Sequence, residues 1–594
     1  MSQSLLILLA LLPIFIIFLF LVVLRWSAKR TMLLAYIMVL ILALFVWKIS
    51  ISQVAASSVN GLITVFNILY IVFGAVLLLH TIRESGGLGL IRESVSTITK
   101  DRRIQVIIIL WIFGAFLEGA AGFGSTGAVI GPLLMGLGFP AMAAAMVCMI
   151  FQSSAVSFGA VGTPILIGVS TGLGDGAIDK VNATIGGLSW DQYIHSIGIK
   201  VALIHGMVGV FIPLFMVVLL CRFFGKNKSF KEGLGAWKFA LFGGVCLAVP
   251  YVLTAIFLGP EFPSIFGGLI GVIPAVIAAK KGWFMPKDTV WDFQGKSKWD
   301  EKWTGLIEIQ EEEKTAPFSL FRAWIPYIIM AIVLFVTRLD YLPFASWLKI
   351  LTVKFNNLFG TDISSSIDIF YSPGTVFIVV SILTYWIHGM RLQSYQKAIK
   401  SSSDIIIGAG AALIFAVPMV QVFLHSDGGA AEFASIPSVL ADGFSVISGG
   451  EWAFVAPLIG AMGAFFAGSN TFSNMMFSFF QFEVAENVGI NSSWVIALQS
   501  VGAAAGNIIC VHNVVMASAA VGLIGREGEV LRKVLLPAAY YILFTGTVGY
   551  IILNGFGFNL GTIIGVAIIG TIVTFIVKNR SYHQKQHKSN NINM

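Results

Sequence analysis

Charged residues are scarce in this sequence. Asp, Glu, Lys and Arg make up 11% of its 594 residues, whereas hydrophobic residues make up 57%. A soluble domain has about a quarter of its residues charged, so this composition excludes a soluble globular protein. Cysteine is also rare. Cys148, Cys221, Cys246 and Cys510 lie in or beside apolar runs without CxxC or metal-ligand spacing, and we interpret them as small buried hydrophobic side chains.

Signatures of other protein classes are missing as well. No HExxH motif occurs, and no cluster of His, Cys and carboxylate residues stands out, which argues against an intramembrane enzyme and a bound metal. The formal net charge of +8 might suggest a nucleic-acid partner, but Lys and Arg occur in short clusters between apolar runs, as in a membrane protein. We therefore expect no enzymatic activity, no cofactor, no metal and no nucleic-acid partner.

Long apolar runs dominate the chain instead. A spanning helix needs roughly 20 mostly apolar residues, and such runs recur from residue 4 to residue 577. The mean hydropathy of the whole chain is +0.89. We predict an all-α polytopic protein of the lipid bilayer with about 12 to 16 membrane segments. Residues 4–24 are followed rather than preceded by basic residues, so we expect a retained first span and not a signal peptide.

One polar segment, residues 280–322, interrupts the apolar runs. It contains Lys280, Lys281 and the acidic stretch 311–313, and we interpret it as a cytoplasmic linker between two halves. The predicted organisation is N-terminal spans at 1–103, a first repeat half at 104–279, the linker at 280–322, a second repeat half at 323–577 and a cytoplasmic C-terminal tail at 578–594.

The distribution of charge predicts the orientation in the membrane. Segments 170–195 and 425–451 carry acidic residues and almost no Lys or Arg. Basic residues concentrate in segments 25–30, 80–103, 222–238, 389–403, 526–533 and the tail from 578. The positive-inside rule then places the N-terminus outside and the C-terminus inside.

Two segments resemble each other. Gly114–Phe123 (GAFLEGAAGF) aligns with Gly463–Phe472 (GAFFAGSNTF), and Gln152-Ser153 and Gln499-Ser500 follow at matching places. Chance similarity between membrane segments of low complexity is the alternative explanation. The first copy starts from the basic side and the second from the acidic side. We therefore predict inverted repeats, as in secondary transporters whose site lies at the bilayer midplane.

Glycine and polar residues interrupt both copies. The stretch from Gly119 to Gly174 is rich in glycine and contains no charged residue. Its counterpart in the second copy is the polar run 468–474. Non-helical backbone at membrane depth is tolerated where it is buried in protein or lines an aqueous cavity, so we predict two re-entrant or broken-helix hairpins. Tight helix packing is the alternative for the glycines, but it explains Asn470 and Asn474 poorly.

The polar residues of these hairpins form the predicted substrate site. A half-helix N-terminus offers unpaired N–H groups, so it can bind a carboxylate with hydroxyl and amide support and without Arg. Hydrogen bonding to neighbouring helices is an equal alternative for Ser153 and Ser500. The predicted substrate-binding residues are Gly124, Ser125, Thr126, Gln152, Ser153, Asn470, Thr471, Gln499, Ser500 and Asn507.

Ionisable residues are few in the repeats. Glu118 and His512 lie within them, and His205 lies in a neighbouring span. Intramembrane ionisable groups are functional candidates because an unpaired charge there is costly. We predict that Glu118 and His512 couple transport to protons. The alternatives are a helix cap for Glu118 and a satisfied core histidine for His512, and we interpret His205 as structural.

The longest motifs resemble a known family. Gly114–Gly127 (GAFLEGAAGFGSTG), Phe151–Pro164 (FQSSAVSFGAVGTP) and Gly502–Asn513 (GAAAGNIICVHN) are similar to the bacterial L-lactate permeases, and the resemblance spans most of the chain. It implies proton-coupled uptake of L-lactate, with glycolate and D-lactate as related substrates, across the bacterial cytoplasmic membrane. It assigns no individual binding residue.

Lactate–proton symport is therefore the predicted function. A sodium-coupled carboxylate transporter is the nearest alternative, since unwound backbone carbonyls, Ser and Asn can hold Na⁺. A passive anion channel is a further alternative, which differs in being unable to concentrate lactate against its gradient. The oligomeric state and the preferred 2-hydroxy acid stay open at this point.

Overall fold

The fold is built almost entirely from helices, as a computed structural model shows. The structure describes residues 1–24, 26–122, 125–286, 290–305, 317–337, 343–523 and 526–592. Within these ranges one antiparallel pair of short strands occurs, β1 (Val353–Phe355) and β2 (Ser365–Ile367), with Val353 opposite Ile367. The predicted all-α class is confirmed.

The first half of the chain, up to Lys280, contains helices of very different length. Several spans include a π-helical stretch, as at Ile107–Ile112 and Pro164–Val169. The α-helices are α1 (Gln3–Ile17), α2 (Ala28–Ile41), α3 (Ile51–Glu84), α4 (Gly87–Ser96), α5 (Arg102–Val106), α6 (Phe113–Ala121), α7 (Ser125–Gly136), α8 (Ala141–Phe151), α9 (Gly159–Thr163), α10 (Ser170–Thr184), α11 (Trp190–Gly209), α12 (Ile212–Phe224), α13 (Phe230–Leu234), α14 (Trp237–Phe257) and α15 (Pro263–Lys280).

The second half begins after the polar segment. Its α-helices are α16 (Leu320–Thr337), α17 (Phe344–Lys349), α18 (Pro373–Ile387), α19 (Leu392–Leu424), α20 (Ile436–Ser448), α21 (Trp452–Ala467), α22 (Asn470–Val488), α23 (Ser492–Asn507), α24 (Val511–Ala520), α25 (Glu527–Asn554) and α26 (Leu560–Ile592).

Many of these helices are long and apolar enough to cross a bilayer. Among the described residues there are 12 such spans, or 13 if the bent helix α19 is counted as one more. This number confirms a polytopic membrane protein. The bend in α19, 41° between Leu392–Gly408 and Gly410–Leu424, was not expected from the uninterrupted apolar run there.

The long helices α3 and α19 pack against each other along their length, and α18 packs beside α3. Small residues allow this close approach, because a Cβ added to Gly61 of α3 would lie 2.5 Å from the Cα of Pro418 in α19. The Asn60 side chain donates a 3.0 Å hydrogen bond to Gln421 at the same crossing. Such small-residue contacts and interhelical hydrogen bonds hold helices together where lipid removes the hydrophobic driving force.

The described part of the polar segment, residues 290–305, packs against one end of the helices. The Trp291 indole donates to the Glu232 carboxylate at 2.9 Å, and Asp292 forms an ion pair with Arg102 at 2.9 Å. Residues 290–305 therefore lie at the same end of the protein as two of the basic segments that the charge pattern assigned to the inner side. The division into five parts stays a prediction.

Both predicted hairpins are broken helices. In the first, α6 ends at Ala121 and Gly122 follows with a φ of +64°, before α7 begins at Ser125. In the second, α21 ends at Ala467 and Gly468 follows with a φ of +76°, before α22. Positive φ suits glycine, which has no Cβ to clash with the carbonyl oxygen. Each half then has a second broken helix, after α8 and after α23.

One expected correspondence between the two halves is wrong. Gln152 follows the last residue of α8, where the helix breaks, whereas Gln499 lies inside α23, two turns before its end at Asn507. The two Gln residues are therefore not at equivalent places, although their sequence neighbourhoods match. Local sequence similarity indicated the broken segment in each half but not the exact residue at which each helix breaks.

Candidate functional site

A cavity of about 340 Å³, counted with its mouth, lies where the four broken helices meet. Both halves of the chain contribute to its wall. The lining residues are Glu118, Gln152, Val156, Gly159 and Pro164 from the first half, and Gly468, Ser469, Asn470, Thr471, Asn507 and Asn513 from the second.

The N-terminus of α22 opens onto this cavity. Ser469 caps the helix by accepting a 3.4 Å hydrogen bond from the Phe472 N–H, and Asn470 and Thr471 form the first turn. The first N–H groups of a helix have no partner within it, and the helix dipole makes this end positive. None of the described lining residues is Lys or Arg. A small anion can therefore be bound here by backbone and amide groups.

Glu118 lies near the end of α6 and is the one ionisable side chain among the described lining residues. It is fully buried, and the Thr126 hydroxyl of α7 donates a 2.6 Å hydrogen bond to its Oε2. The other carboxyl oxygen is close to Gly159, since a Cβ added there would lie 3.2 Å from it. Glu118 is thus held between both sides of the first break.

A left-handed turn follows Gly159 and shapes the cavity wall. Ala160, Val161 and Gly162 have φ values of +44°, +57° and +74°. For residues with a Cβ this conformation costs roughly 1–2 kcal/mol each. Gly122 packs directly on the turn, because a Cβ added to it would lie 2.7 Å from the Ala160 nitrogen. The break after α6 and the break after α8 therefore hold each other in place.

The first turn of α22 is bound to the first half of the chain by side-chain hydrogen bonds. Asn470 Nδ2 donates to Ser157 Oγ at 3.2 Å. Asn474 Nδ2 donates to the Pro164 carbonyl at 3.1 Å and to Ser500 Oγ at 3.0 Å. The bonds to Ser157 and Pro164 fix this end of α22 against the polar segment that follows α8, and the bond to Ser500 joins it to α23.

Gln499 lies behind the cavity rather than on its wall. Its Nε2 donates to Ser473 Oγ at 3.1 Å, and its Oε1 accepts from Gln481 at 2.9 Å. The Trp452 indole donates to Gln481 at 2.7 Å and extends this network. Gln499 and Ser500 thus join α21, α22 and α23 to one another.

The structure brings five of the predicted residues together in the cavity wall: Glu118, Gln152, Asn470, Thr471 and Asn507. Thr126 contacts the cavity wall through its bond to Glu118, whereas Ser153 is buried and is not among the described lining residues. Gly124 lies outside the described residues, and so does the side chain of Ser125.

His512 lies beside the cavity and not among its lining residues. Its side chain is exposed, and its Cβ lies 3.2 Å from where a Cβ on Gly468 would stand. Asn513, the next residue, does line the cavity and was not predicted. Ser469 was also missed, although it belongs to the polar run that carries Asn470.

Within the described ranges, no group of three or more His, Cys, Asp or Glu side chains is arranged to hold a metal ion. The chemistry that the described lining residues offer is hydrogen bonding, a helix dipole and one carboxyl group.

Comparison with known proteins gives matches over most of the chain. The family model described as L-lactate permease matches residues 6–556. A putative L-lactate permease of Haemophilus influenzae is 30% identical over 509 residues, which cover 82% of this chain and 87% of that protein. The L-lactate permease of Bacillus subtilis is 27% identical over 90% of this chain and 93% of its own length. The glycolate permease GlcA of Escherichia coli is 27% identical over 92% of this chain and 95% of its own length.

The family match covers nearly the whole chain, including all four broken helices and every described residue that lines the cavity. The family consists of permeases, so this multi-pass membrane protein is a transporter and not an enzyme. With the sequence motifs, the polytopic helical fold and the family match in agreement, the chain belongs to the L-lactate permease family.

Proposed function

We propose that this protein transports L-lactate together with a proton across the bacterial cytoplasmic membrane, and that it also accepts glycolate and D-lactate. The names of the relatives from Bacillus subtilis and Escherichia coli support a small 2-hydroxy monocarboxylate as the substrate. The basic segments support an N-terminus outside and a C-terminus inside.

The observation that carries the proposal is one cavity that holds both a helix N-terminus and a buried carboxyl group. The N-terminus of α22 at Asn470 and Thr471 suits the lactate carboxylate, and Glu118 suits the proton. Lactate is a monoanion, so its movement with one proton transfers no net charge. Transport then avoids about 2.3 kcal/mol per charge for each 100 mV of membrane potential.

Electrostatic repulsion in the cavity would couple the two substrates. Two unit negative charges 4 Å apart repel by about 4 kcal/mol at an effective dielectric constant of about 20. Lactate would therefore bind weakly while Glu118 is ionised and more strongly once it is protonated. The Thr126 hydroxyl, 2.6 Å from Glu118 Oε2, holds the carboxyl group in place in both states.

The proposed role of His512 is secondary. Its exposed side chain next to Gly468 could pass protons between the cavity and water. Replacement of His512 by Gln should then slow proton-coupled uptake without changing the final accumulation of lactate, because a relay alters the rate and not the equilibrium.

Transport by the purified protein in liposomes tests the proposal. An inward proton gradient without sodium should drive lactate to a higher concentration inside than outside. Accumulation that requires a sodium gradient at equal pH would favour the sodium-coupled alternative. Equilibration without accumulation under either gradient would indicate a passive channel. A tag on each terminus, tested for access from outside intact cells, checks the orientation.

A further inference from the structure

A chain of hydrogen bonds leads away from the cavity into the first half of the protein. It begins at Asn470, whose Nδ2 donates to Ser157 Oγ at 3.2 Å. Ser157 Oγ lies 2.8 Å from His205 Nε2, and His205 Nδ1 lies 2.6 Å from the Tyr541 hydroxyl. Tyr541 in turn lies 2.8 Å from Ser154 Oγ. Asn470, Ser157, His205 and Ser154 are each at most 4% exposed, and Tyr541 is fully buried.

The direction of the chain follows from the orientation of the Asn470 amide, whose Nδ2 donates to Ser157 Oγ. Ser157 accepts from Asn470 and has one hydrogen of its own, which it can donate to His205 Nε2 at 2.8 Å. Neutral His205 then carries its hydrogen on Nδ1 and donates to Tyr541. Tyr541 donates to Ser154. Every link then has one donor and one acceptor, and the tautomer of His205 with its hydrogen on Nδ1 matches this orientation of the Asn470 amide.

This direction leaves the Asn470 carbonyl oxygen for the cavity. Asn470 is 2% exposed and lines the cavity, and its Oδ1 accepts from no group in the described part of the chain. A buried acceptor without a donor is costly, so a ligand that supplies a hydroxyl gains affinity there. Gln152 also has a buried amide oxygen without a donor among the described residues, but no hydrogen bond comparable to that of Asn470 fixes its orientation.

We propose that Asn470 Oδ1 accepts the 2-hydroxyl hydrogen of the substrate, and that Ser157, His205 and Tyr541 are positioning residues that keep this oxygen turned toward the cavity. The inference rests on the proposed function, in which the N-terminus of α22 holds the carboxylate. It assigns to Asn470 the recognition of 2-hydroxy acids over plain carboxylates and gives His205 a role beyond packing.

Competition between lactate and propionate tests the assignment. Propionate has the same carbon chain and carboxylate as lactate but no 2-hydroxyl. The readout is the ratio of Vmax/KM for lactate to that for propionate, measured with the purified full-length protein in liposomes. A general loss of folding or of carboxylate binding lowers both terms and leaves the ratio unchanged.

Ser157→Ala frees the Asn470 amide to rotate, so the ratio should fall about threefold to tenfold, mainly through a higher KM for lactate. Ser157→Thr keeps the hydroxyl and should keep the ratio. Ser478→Ala is the matched control, because Ser478 is an equally buried serine on α22 that lies outside the cavity wall. It should transport both substrates as the unchanged protein does.

Tyr541→Phe provides a second variant if Ser157→Ala does not fold. It removes the acceptor of the His205 Nδ1 hydrogen, so it should lower the ratio in the same direction. An unchanged ratio in folded Ser157→Ala or Tyr541→Phe would overturn the inference. So would an equal loss of lactate and propionate uptake, which is expected if the Asn470 amide presents its NH₂ to the carboxylate. Failure of the unchanged protein to transport any 2-hydroxy acid would instead refute the proposed function.

Discussion

Replacement of Glu118 by Gln is the perturbation that separates binding from proton coupling. The side chain is fully buried and accepts a 2.6 Å hydrogen bond from Thr126. Gln has nearly the same shape, and its amide oxygen can accept the same hydrogen bond. The substitution therefore preserves the cavity but removes the group that takes up and releases a proton.

The expected effects differ between two assays. Exchange of lactate for lactate requires no net proton movement. The substitution replaces a charged acceptor of the Thr126 hydrogen bond by a neutral one, a difference of about 1 kcal/mol. Exchange should therefore fall by about fivefold at most. Net accumulation has a firm limit. One pH unit is worth about 1.4 kcal/mol per proton, so symport of one proton per lactate supports about tenfold accumulation. Glu118→Gln should accumulate no lactate.

Both assays use purified protein in liposomes, with a pH gradient of about one unit and labelled lactate. Glu483→Gln is the matched control. Glu483 lies on α22, is also a buried carboxyl group, and pairs with Lys180 outside the cavity. It should keep pH-driven accumulation. If Glu118→Gln accumulated lactate as well as the unchanged protein, Glu118 would have no part in coupling and the electrostatic argument would be wrong.

Two further predictions concern the framework around the site. Gly122→Ala should lower the melting temperature and abolish lactate uptake, because the new Cβ would lie 2.7 Å from the Ala160 nitrogen. The control Gly489→Ala, also at positive φ but in open space, should show only the backbone cost of roughly 1–2 kcal/mol. Equal melting temperatures for the two variants would argue against the contact between the breaks. Lys180→Met should destabilise the protein by about 1–3 kcal/mol, because it leaves the buried Glu483 carboxylate without its cation. The loss should be toward the lower end of this range because Lys180 is largely exposed. Thermal unfolding in detergent measures the change, and an unchanged transition would show that the ion pair contributes nothing.

Much of the fold was predictable because membrane physics constrains sequence strongly. Runs of about 20 apolar residues follow from bilayer thickness. The breaks at Gly122 and Gly468 could be located because glycine and polar residues at membrane depth have few structural explanations. The bend in α19 at 408–410 was missed, because the run 404–424 is apolar and its two glycines look like ordinary packing residues.

The candidate site was predictable in part. Asn470 and Thr471 were found because they are amides and hydroxyls in an otherwise apolar stretch. Gln499 carries the same signal but hydrogen-bonds to Gln481 behind the cavity, and sequence pattern does not distinguish a buried network from a binding wall. His205 looked structural because its partners Ser157 and Tyr541 lie far away in sequence, and only the tertiary fold brings them together.

An experimental structure determined with L-lactate tests the central claim most directly. The account predicts lactate in the cavity between the broken helices, with its carboxylate at the N-terminus of α22 and its 2-hydroxyl within hydrogen-bond distance of Asn470 Oδ1. Lactate bound away from Glu118 and Asn470, or bound by Lys or Arg side chains elsewhere, would contradict it.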